Sequence, residues 1–277
     1  MTSPLISAAE THDLLEAGRA VVLDIRYAGP GSTGGREQYL AGHIPSAVFV
    51  DMDSALAAPA TGPGGRHPLP EPAIFEAAMR AAGVSGGHTV VLYDDWKSIA
   101  AARAWWLLRF HGHRDVRVLD GGWQAWREAG LPTEQGEVTA VPGDFSCSAG
   151  DLRAVTADGA AQIAAEGVLL DARPANRFRG EDETVDPVAG HIPGARSLPA
   201  VDLVDAQGRF LPAGDLLQRF QQVEATEGTV GVYCGSGIQA AHAALAATVA
   251  GLPTPVLYPG SWSDWITDPS RAVELGE

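Results

Sequence analysis

The sequence predicts an α/β fold of two tandem domains, each a mainly parallel sheet with helices on both faces. Short apolar segments alternate with helical ones along the chain, which is typical of parallel sheets covered by helices. Four sequence blocks also recur in the same order with similar spacing, which indicates that one domain plan is used twice. The paired blocks are residues 21–26 and 168–173, 40–47 and 188–195, 90–93 and 230–233, and 121–126 and 260–265.

Both halves are predicted to contain the same succession of elements. Ser7 precedes the first helix as a cap, and Pro72 stands where a helix start tolerates proline. The predicted helices are 7–17, 71–82, 98–110, 156–166, 212–222 and 240–250, and the predicted strands begin at residues 21, 89, 168 and 228. Residues 131–147 are rich in proline and glycine without periodicity, which is typical of a linker. We therefore predict domains at residues 1–132 and 151–277, joined by a linker at 133–150.

Composition excludes several classes of protein. The 277 residues carry a formal charge of −15, which argues against nucleic acid as a partner. No apolar run reaches membrane-spanning length, and residues 1–9 lack the basic flank and apolar core of a secretory signal. The two cysteines are too few for a disulfide framework or a cysteine-based zinc site. We expect a cytoplasmic protein that binds no metal and no membrane.

One cysteine lies in a loop that suits reactive sulfur. Cys234 follows the predicted strand 228–233 and precedes an alanine-rich helix, with Gly235, Ser236 and Gly237 directly after it. A tight strand-to-helix loop directs backbone N–H groups inward, and the helix N-terminus adds partial positive charge, so a thiolate is stabilised there. Free cysteines are often simply small buried apolar residues, but Gly-Ser-Gly beside this one favours a functional role. Cys147 has no such loop and is expected to take no part.

With its four repeated blocks and its cysteine loop, the chain resembles the two-domain rhodanese-like sulfurtransferases. This family comprises thiosulfate and 3-mercaptopyruvate sulfurtransferases. The resemblance covers essentially the whole chain and implies two rhodanese-like domains, of which only the second is catalytic. Asp94 follows Tyr93 in the first half, where Cys234 follows Tyr233 in the second. A carboxylate cannot store a sulfane sulfur, so we expect the first half to be catalytically silent.

The resemblance implies that Cys234 takes sulfur from a small donor and becomes a persulfide. An acceptor such as cyanide, thioredoxin or a low-molecular-weight thiol then removes the sulfur, and no cofactor is needed. Thiosulfate enzymes typically carry basic residues just after the cysteine. The loop here is neutral and resembles that of the mercaptopyruvate enzymes, with Gln239 in place of their usual threonine. The favoured donor is therefore 3-mercaptopyruvate.

The resemblance also implies which residues surround the cysteine. Ser236 matches a serine thought to relay a proton, although a helix N-cap is an equally natural role. Arg177 matches the arginine that holds the substrate carboxylate, a task suited to a bidentate guanidinium. Arg179 either assists it or pairs with an acidic neighbour. The predicted substrate-binding residues are Arg177, Arg179, Gly235, Gly237, Ile238 and Gln239.

Two predicted catalytic residues come from the first half of the sequence. Asp53 and His67 match an acidic residue and a histidine that reach toward the cysteine loop in the family, although a loop histidine is more often simply solvated. Mercaptopyruvate enzymes often carry a second arginine nine residues after the first, where this chain has Asp186. Arg66, next to His67, could supply part of the missing positive charge.

Residues that recur in both halves are predicted to be structural, because only one half has a nucleophile. His43 and His191 lie in repeated Gly-His-Ile-Pro turns and are expected to hold those turns by hydrogen bonds. Asp24 and Asp171, each followed two residues later by arginine, are expected to form internal ion pairs.

Three alternatives to a mercaptopyruvate enzyme remain. Thiosulfate as the main donor is the nearest. A cysteine-based phosphatase needs an arginine at the end of the loop, where this chain has Gln239, Ala240 and Ala241. A non-enzymatic persulfide carrier would show no steady-state turnover with small donors.

Overall fold

The structure is a computed structural model that describes residues 3–62 and 64–277. Its described residues divide into two compact units. The first contains residues 3–58, 70–151 and 206–210, and the second contains the described part of 59–69 together with 152–205 and 211–277. Residues 131–151, which include the predicted linker, thus belong to the first unit. The second unit includes the described part of residues 59–69, which lies about 90 residues before its main part begins at residue 152. The boundaries chosen from sequence stay a prediction.

The first unit is built on a five-stranded sheet in the order β1-β5-β4-β2-β3, in which all four neighbouring pairs are parallel. Its strands are β1 (Leu5–Ile6), β2 (Ala20–Asp24), β3 (Val48–Phe49), β4 (Thr89–Tyr93) and β5 (Val116–Leu119). Its helices are α1 (Ala8–Glu16), α2 (Gly34–Ala41), α3 (Met52–Ala55), α4 (Pro72–Ala81), α5 (Ile99–Phe110) and α6 (Gly122–Glu128).

The second unit repeats this plan on a four-stranded parallel sheet in the order β7-β6-β8-β9. Its strands are β6 (Val168–Asp171), β7 (Arg196–Ser197), β8 (Val230–Tyr233) and β9 (Val256–Leu257). Its helices are α7 (Ala157–Glu166), α8 (Ala175–Phe178), α9 (Ala213–Gln222), α10 (Ile238–Val249) and α11 (Ser261–Trp265), with a 3₁₀ turn at Ala200–Leu203. The predicted fold class is confirmed.

Local sequence explains where the helices begin. Ser7 caps α1 through a capping box, in which its hydroxyl accepts from the N–H of Glu10 and the Glu10 carboxylate accepts from the N–H of Ser7. Pro72 is the first residue of α4. The helix after Cys234 begins at Ile238, two residues before the predicted start, because Gly237 adopts the left-handed conformation and serves as its N-cap.

The loop that carries Cys234 lies between two buried elements. In β8, Val232 and Tyr233 are fully buried, and residues 240–247 of α10 are at most 1% exposed. A loop held between a buried strand and a buried helix has little freedom, because moving either end would disturb close packing. This explains why small residues dominate α10: alanine allows the helix to approach its neighbours closely while keeping high helix propensity.

The predicted internal ion pairs are confirmed in both units. In each, an arginine two residues after the end of a central strand binds a buried aspartate and donates to a glycine carbonyl of the Gly-His-Ile-Pro turn. The sets are Arg26, Asp24 and Gly42 in the first unit, and Arg173, Asp171 and Gly190 in the second. The histidines of these turns are also structural, since Nδ1 of His43 and of His191 bonds a backbone carbonyl oxygen at 2.9 and 2.8 Å.

The predicted linker is ordered on the first unit. Glu134 forms an antiparallel bridge with His43, and the N–H of Val138 donates to the Tyr39 hydroxyl at 3.0 Å. Phe145 is only 5% exposed. The segment therefore packs as an extended strap, although its proline and glycine content prevents a regular helix or strand. Within residues 3–62 and 64–277, no helix has both the length and the apolar character to cross a bilayer.

Candidate active site

Cys234 directly follows β8, at the carboxyl end of the second sheet, where ligands bind in open parallel sheets. Its side chain is almost fully buried, and the backbone N–H of Gly237 donates to its Sγ at 3.1 Å. Gly237 has φ of 81°, a conformation that glycine adopts without strain. The turn therefore directs a backbone donor and the start of α10 at one sulfur, which favours negative charge on it.

Ser261 fixes the backbone of the cysteine and was not predicted from sequence. Its Oγ accepts from the N–H of Cys234 at 3.0 Å and donates to the carbonyl oxygen of Tyr258 at 2.9 Å. Ser261 has φ of 55°, and its counterpart Gly122 in the first unit has φ of 56°. A serine where the repeat has glycine accepts backbone strain, and this replacement is the sequence signal that could have identified it.

His67 and Ser236 form a hydrogen-bonded pair beside the cysteine loop. Nδ1 of His67 lies 2.8 Å from Oγ of Ser236, and the two residues are 7% and 9% exposed. His67 is therefore buried, and the alternative interpretation from sequence, a solvated loop histidine, is wrong. The helix-cap interpretation of Ser236 is wrong, because Gly237 occupies that position and leaves the hydroxyl to the histidine. A hydroxyl bonded to an imidazole can pass a proton in either direction.

The loop that carries His67 is anchored to α11 of the second unit. The N–H of Gly64 donates to Oδ1 of Asp264 at 2.8 Å, and the N–H of Arg66 donates to Oγ of Ser263 at 3.0 Å. A Cβ on Gly65 would lie 2.4 Å from the carbonyl oxygen of Gly260, so only glycine fits there. These contacts explain how a histidine distant in sequence comes to lie next to Ser236.

Arg177 is held by two carboxylates. Its Nε donates to both oxygens of Glu183 at 3.1 and 2.9 Å, and its Nη2 donates to Oδ2 of Asp186 at 2.7 Å. Burial alone would raise the pKa of Glu183, but hydrogen bonds from Arg177 and from the N–H groups of Asp186 and Val185 bring that pKa below its ordinary value. Glu183 therefore stays charged and keeps the guanidinium in one orientation.

Two guanidinium groups border the cysteine loop at Gly235. A Cβ on Gly235 would lie 3.0 Å from Nη2 of Arg66 and 3.6 Å from Nη1 of Arg177. Arg66 also pairs with Asp186 through its Nη1. The missing side chain of Gly235 therefore leaves room beside the sulfur for an anionic group of a substrate.

The remaining predicted site residues lie in different surroundings. Arg179 pairs with Glu181, Ile238 is buried in the first turn of α10, and Gln239 is half-buried there. Asp53 belongs to the first unit, where its carboxylate accepts from the Tyr27 hydroxyl at 3.0 Å and from the N–H of Gly31 at 2.7 Å. The roles assigned to these four residues stay predictions.

The equivalent loop of the first unit holds Asp94 in place of the cysteine. The fully buried carboxylate accepts from the N–H groups of Trp96, Ser98 and Ala101 at 2.8 to 2.9 Å. Burial raises the pKa of Asp94 to about 6, although these three donors lower it. The carboxylate thus accepts the backbone N–H groups of this loop, and the catalytic silence of the first unit stays a prediction.

The second unit therefore brings together a buried sulfur with a backbone donor, a hydroxyl–imidazole pair and two guanidinium groups. This set suits nucleophilic attack by sulfur on a small anionic substrate, with a proton source at hand. Across the described residues, 3–62 and 64–277, no group of three or more histidine, cysteine, aspartate or glutamate side chains is arranged to hold a metal ion.

Comparisons with known proteins agree with this arrangement. The rhodanese-like domain model matches residues 7–129 and again 151–268. A Pseudomonas aeruginosa protein named as a probable 3-mercaptopyruvate sulfurtransferase is 44% identical over 100% of this chain and 99% of its own length. A Mycobacterium tuberculosis protein named as the putative thiosulfate sulfurtransferase SseB is also 44% identical, over 98% of this chain and 97% of its own length.

A solved structure shows the same fold. SseA of Escherichia coli, a 3-mercaptopyruvate enzyme with the rhodanese fold, superposes with a TM-score of 0.83 at 33% identity. The match covers 95% of this chain and 100% of that one. The resemblance inferred from the repeated blocks and the cysteine loop is confirmed. The chain belongs to the two-domain rhodanese-like sulfurtransferase family.

Proposed function

We propose that this enzyme transfers the sulfur of 3-mercaptopyruvate to a thiol or cyanide acceptor through a persulfide on Cys234. The observation that carries the proposal is the convergence of three groups on one loop. These are a sulfur that accepts from the N–H of Gly237, the pair of His67 with Ser236, and the Arg177 guanidinium beside Gly235. The full-length relative from Pseudomonas aeruginosa supports the same donor by its name.

In the first half-reaction the Cys234 thiolate attacks the donor sulfur. A sulfur–sulfur bond forms while the carbon–sulfur bond breaks, and its electron pair goes to carbon to give the enolate of pyruvate. Ser236 protonates the enolate and recovers a proton through His67 as the new persulfide ionises. The proton of the donor thiol thus ends on pyruvate. Arg177 binds the carboxylate throughout and orients the donor sulfur toward Cys234.

In the second half-reaction the acceptor attacks the outer sulfur, and Cys234 leaves as a thiolate. The N–H of Gly237 stabilises both the persulfide anion and the returning thiolate. Because the sulfur travels on the protein, the proposed cycle needs no metal and no organic cofactor. A low-molecular-weight thiol or a thioredoxin suits the acceptor role, and a reducing compartment such as the cytoplasm would supply either.

Charge favours 3-mercaptopyruvate over thiosulfate. Arg66 and Arg177 contribute two positive charges next to Gly235, and Glu183 and Asp186 contribute two negative ones. A singly charged carboxylate can be bound by the exposed guanidinium N–H groups. A dianion loses more hydration free energy on entering the site than its interactions with this cluster, which has no net charge, can restore. Thiosulfate is the second candidate donor, because the Mycobacterium tuberculosis relative at the same 44% identity carries that name.

We expect kcat/KM for 3-mercaptopyruvate to exceed that for thiosulfate by at least about tenfold, equivalent to about 1.4 kcal/mol. Both values should be measured with the same acceptor at the same pH and ionic strength, because salt screens the two donors differently. A higher kcat/KM for thiosulfate would make that dianion the substrate. Stoichiometric persulfide formation without steady-state turnover on either donor would indicate a carrier protein.

If His67 and Ser236 form a proton relay, a change of His67 should lower kcat with 3-mercaptopyruvate far more than with thiosulfate. Changing His67 to Asn should lower kcat with 3-mercaptopyruvate about 100-fold, because the enolate loses its proton relay. Thiosulfate releases sulfite, which needs no proton on carbon, so its kcat should change less than about threefold. Steady-state kinetics on both donors provide the test, with thiosulfate as the internal control. Equal losses on both donors would show that His67 merely supports the loop.

A further inference from the structure

We propose that the first unit carries a binding site for a small organic carboxylate at the carboxyl end of its sheet. The site is an open cavity of about 580 Å³. Its wall includes Asp94, Lys97, Trp123 and Arg127, together with residues 206–208, which belong to the first unit. The proposal does not rest on the proposed sulfur transfer. It assigns a ligand to the unit whose loop lacks the cysteine.

The cavity lies where open parallel sheets bind their ligands. Asp94 directly follows β4, and Gly121 comes two residues after the end of β5, so the lining residues gather at the carboxyl ends of two neighbouring strands. A volume of this size suits a small molecule. The Asp94 carboxylate accepts three N–H groups of the loop after β4, which are therefore not available to a ligand. The side chains that line the cavity are left to bind one.

Three side chains of this wall offer hydrogen-bond donors to the cavity. In the part of the chain that the structure describes, Lys97 and Arg127 form no ion pair, and their side chains make no hydrogen bond. Nor does the indole N–H of Trp123 have a partner among these described residues, whereas its counterpart in the repeat, Trp262, donates to the carbonyl oxygen of Val188 at 2.9 Å. Unused donors around one cavity favour a ligand that accepts hydrogen bonds.

The charges of the wall favour an anion. Glu128 is already engaged, since it accepts from Nε2 of Gln124 at 2.8 Å and from Nη2 of Arg209 at 3.1 Å. Burial raises the pKa of Asp95, and the positive charge of nearby Arg26 acts against that rise. Among the lining residues that the structure describes, two unpaired cations face one unpaired carboxylate, which is a surplus of positive charge. A carboxylate ligand satisfies both the charge and the donors, and the half-buried indole offers apolar contact to an organic body.

Lys97 is held at the cavity by a strained turn. It is the single lysine among the 277 residues. Lys97 and the next residue, Ser98, have φ of 55° and 63°, in the left-handed region, whereas the turn after the cysteine has Gly237 there. A Cβ on Gly208 would lie 3.3 Å from Cα and from Cγ of Lys97, so the lysine stem packs closely against that glycine. A strained residue held in this way is typical of a binding site.

Two merely solvated cations make a different prediction about the amine of Lys97. Because it belongs to the only lysine, this amine can be followed selectively by reductive methylation of the full chain. Formaldehyde condenses with the amine to an imine with loss of water, and cyanoborohydride reduces the imine by adding hydride to its carbon. Mass spectrometry of the peptide that contains Lys97 gives the rate, and the α-amino group of the same chain is the internal control. A carboxylate bound to the lysine slows its methylation and leaves that of the α-amino group unchanged.

The probes are benzoate and benzamide, which share an aromatic ring and differ in charge. Benzoate should slow the methylation of Lys97 at least about fivefold, with half of the effect reached at millimolar concentration. Benzamide at the same concentrations should change the rate less than about twofold, because it brings no negative charge. Sodium chloride keeps the ionic strength constant. Absence of saturable slowing at Lys97, or equal slowing by the two probes, would overturn the proposal.

Variants locate the bound benzoate. Arg127→Met should raise the concentration for half of the effect about tenfold. The matched control is Arg36→Met, which removes an arginine from an exposed pair with Glu137 in the same unit and should change that concentration less than about twofold. Arg177→Leu should leave the protection of Lys97 unchanged, because Arg177 belongs to the second unit. Protection that is unaffected by Arg127→Met, or lost in Arg177→Leu, would place benzoate elsewhere and overturn the proposal.

The indole N–H of Trp123 gives an independent readout in the ¹⁵N-labelled full chain. Its signal is identified among those of the seven tryptophans as the one missing from the spectrum of Trp123→Phe. Benzoate should shift this signal with the same half-saturation as the protection of Lys97, because one bound carboxylate contacts both donors. A Trp123 signal that stays in place while Lys97 is protected would overturn the assignment of the carboxylate to this cavity.

Discussion

Changing Cys234 to Ser is expected to abolish sulfur transfer, with kcat reduced by at least about 10⁴-fold. A serine hydroxyl is close in size to the thiol but cannot carry a sulfane sulfur at neutral pH. The variant should fold normally, because the N–H of Gly237 can donate to the hydroxyl oxygen as it does to Sγ. Sulfur transfer should be followed both as pyruvate release and as thiocyanate formation with cyanide as acceptor.

Cys147→Ser is the matched control and should keep nearly all activity. Cys147 lies on the strap along the first unit, where its thiol contacts the carbonyl oxygen of Pro72. Burial, and then the nearby carboxylate of Glu76, raise the pKa of the Cys147 thiol above its ordinary value. The thiol therefore stays protonated and unreactive. If Cys234→Ser kept substantial activity, and a further Cys147→Ser change abolished it, Cys147 would be the nucleophile and the role assigned to Cys234 would be wrong.

Changing Arg177 to Leu should weaken the use of 3-mercaptopyruvate by about 2–4 kcal/mol in kcat/KM. The substrate carboxylate loses a charge-assisted pair in a partly desolvated site. Glu183 and Asp186 also remain behind as carboxylates with one partner fewer, which repel the incoming anion. Kinetics with 3-mercaptopyruvate measure the loss, and circular dichroism establishes whether the two carboxylates have disturbed the fold.

The control for Arg177 is Arg196→Leu, which removes an arginine from a surface pair with Glu224 and should change kcat/KM by less than about threefold. Arg177→Lys should recover part of the activity, because lysine restores the charge without the bidentate geometry. An unchanged kcat/KM in Arg177→Leu would remove this arginine from the substrate site.

Features coded by short segments could be predicted from the sequence. The repeated blocks predicted two similar units, and the strand–Cys234–helix segment predicted a nucleophile at the carboxyl end of a strand. Both predictions depend on residues that are neighbours in the chain, so hydrophobic pattern and turn chemistry were sufficient. The pairing of Asp24 and Asp171 with arginines two residues away was predictable for the same reason.

Features that depend on distant contacts could not be derived from local sequence: the family resemblance implied that His67 reaches toward the cysteine loop, but not the contacts that hold it there. The loop with His67 is held in the second unit by Ser263 and Asp264, almost 200 residues further along the chain. Nothing local to the loop indicates this, since its proline and glycine content suits a mobile surface segment equally well. Asp186 is similar: as a lone sequence position it indicated a missing arginine, whereas its contacts reveal a carboxylate shared by two arginines.

The most direct test of the central claim is the mass of the peptide that contains Cys234 after brief incubation with 3-mercaptopyruvate and no acceptor. We predict one added sulfur on that peptide, formed in step with one pyruvate per enzyme and removed when cyanide is added. Pyruvate release with no sulfur on Cys234, or added sulfur confined to Cys147, would contradict the account.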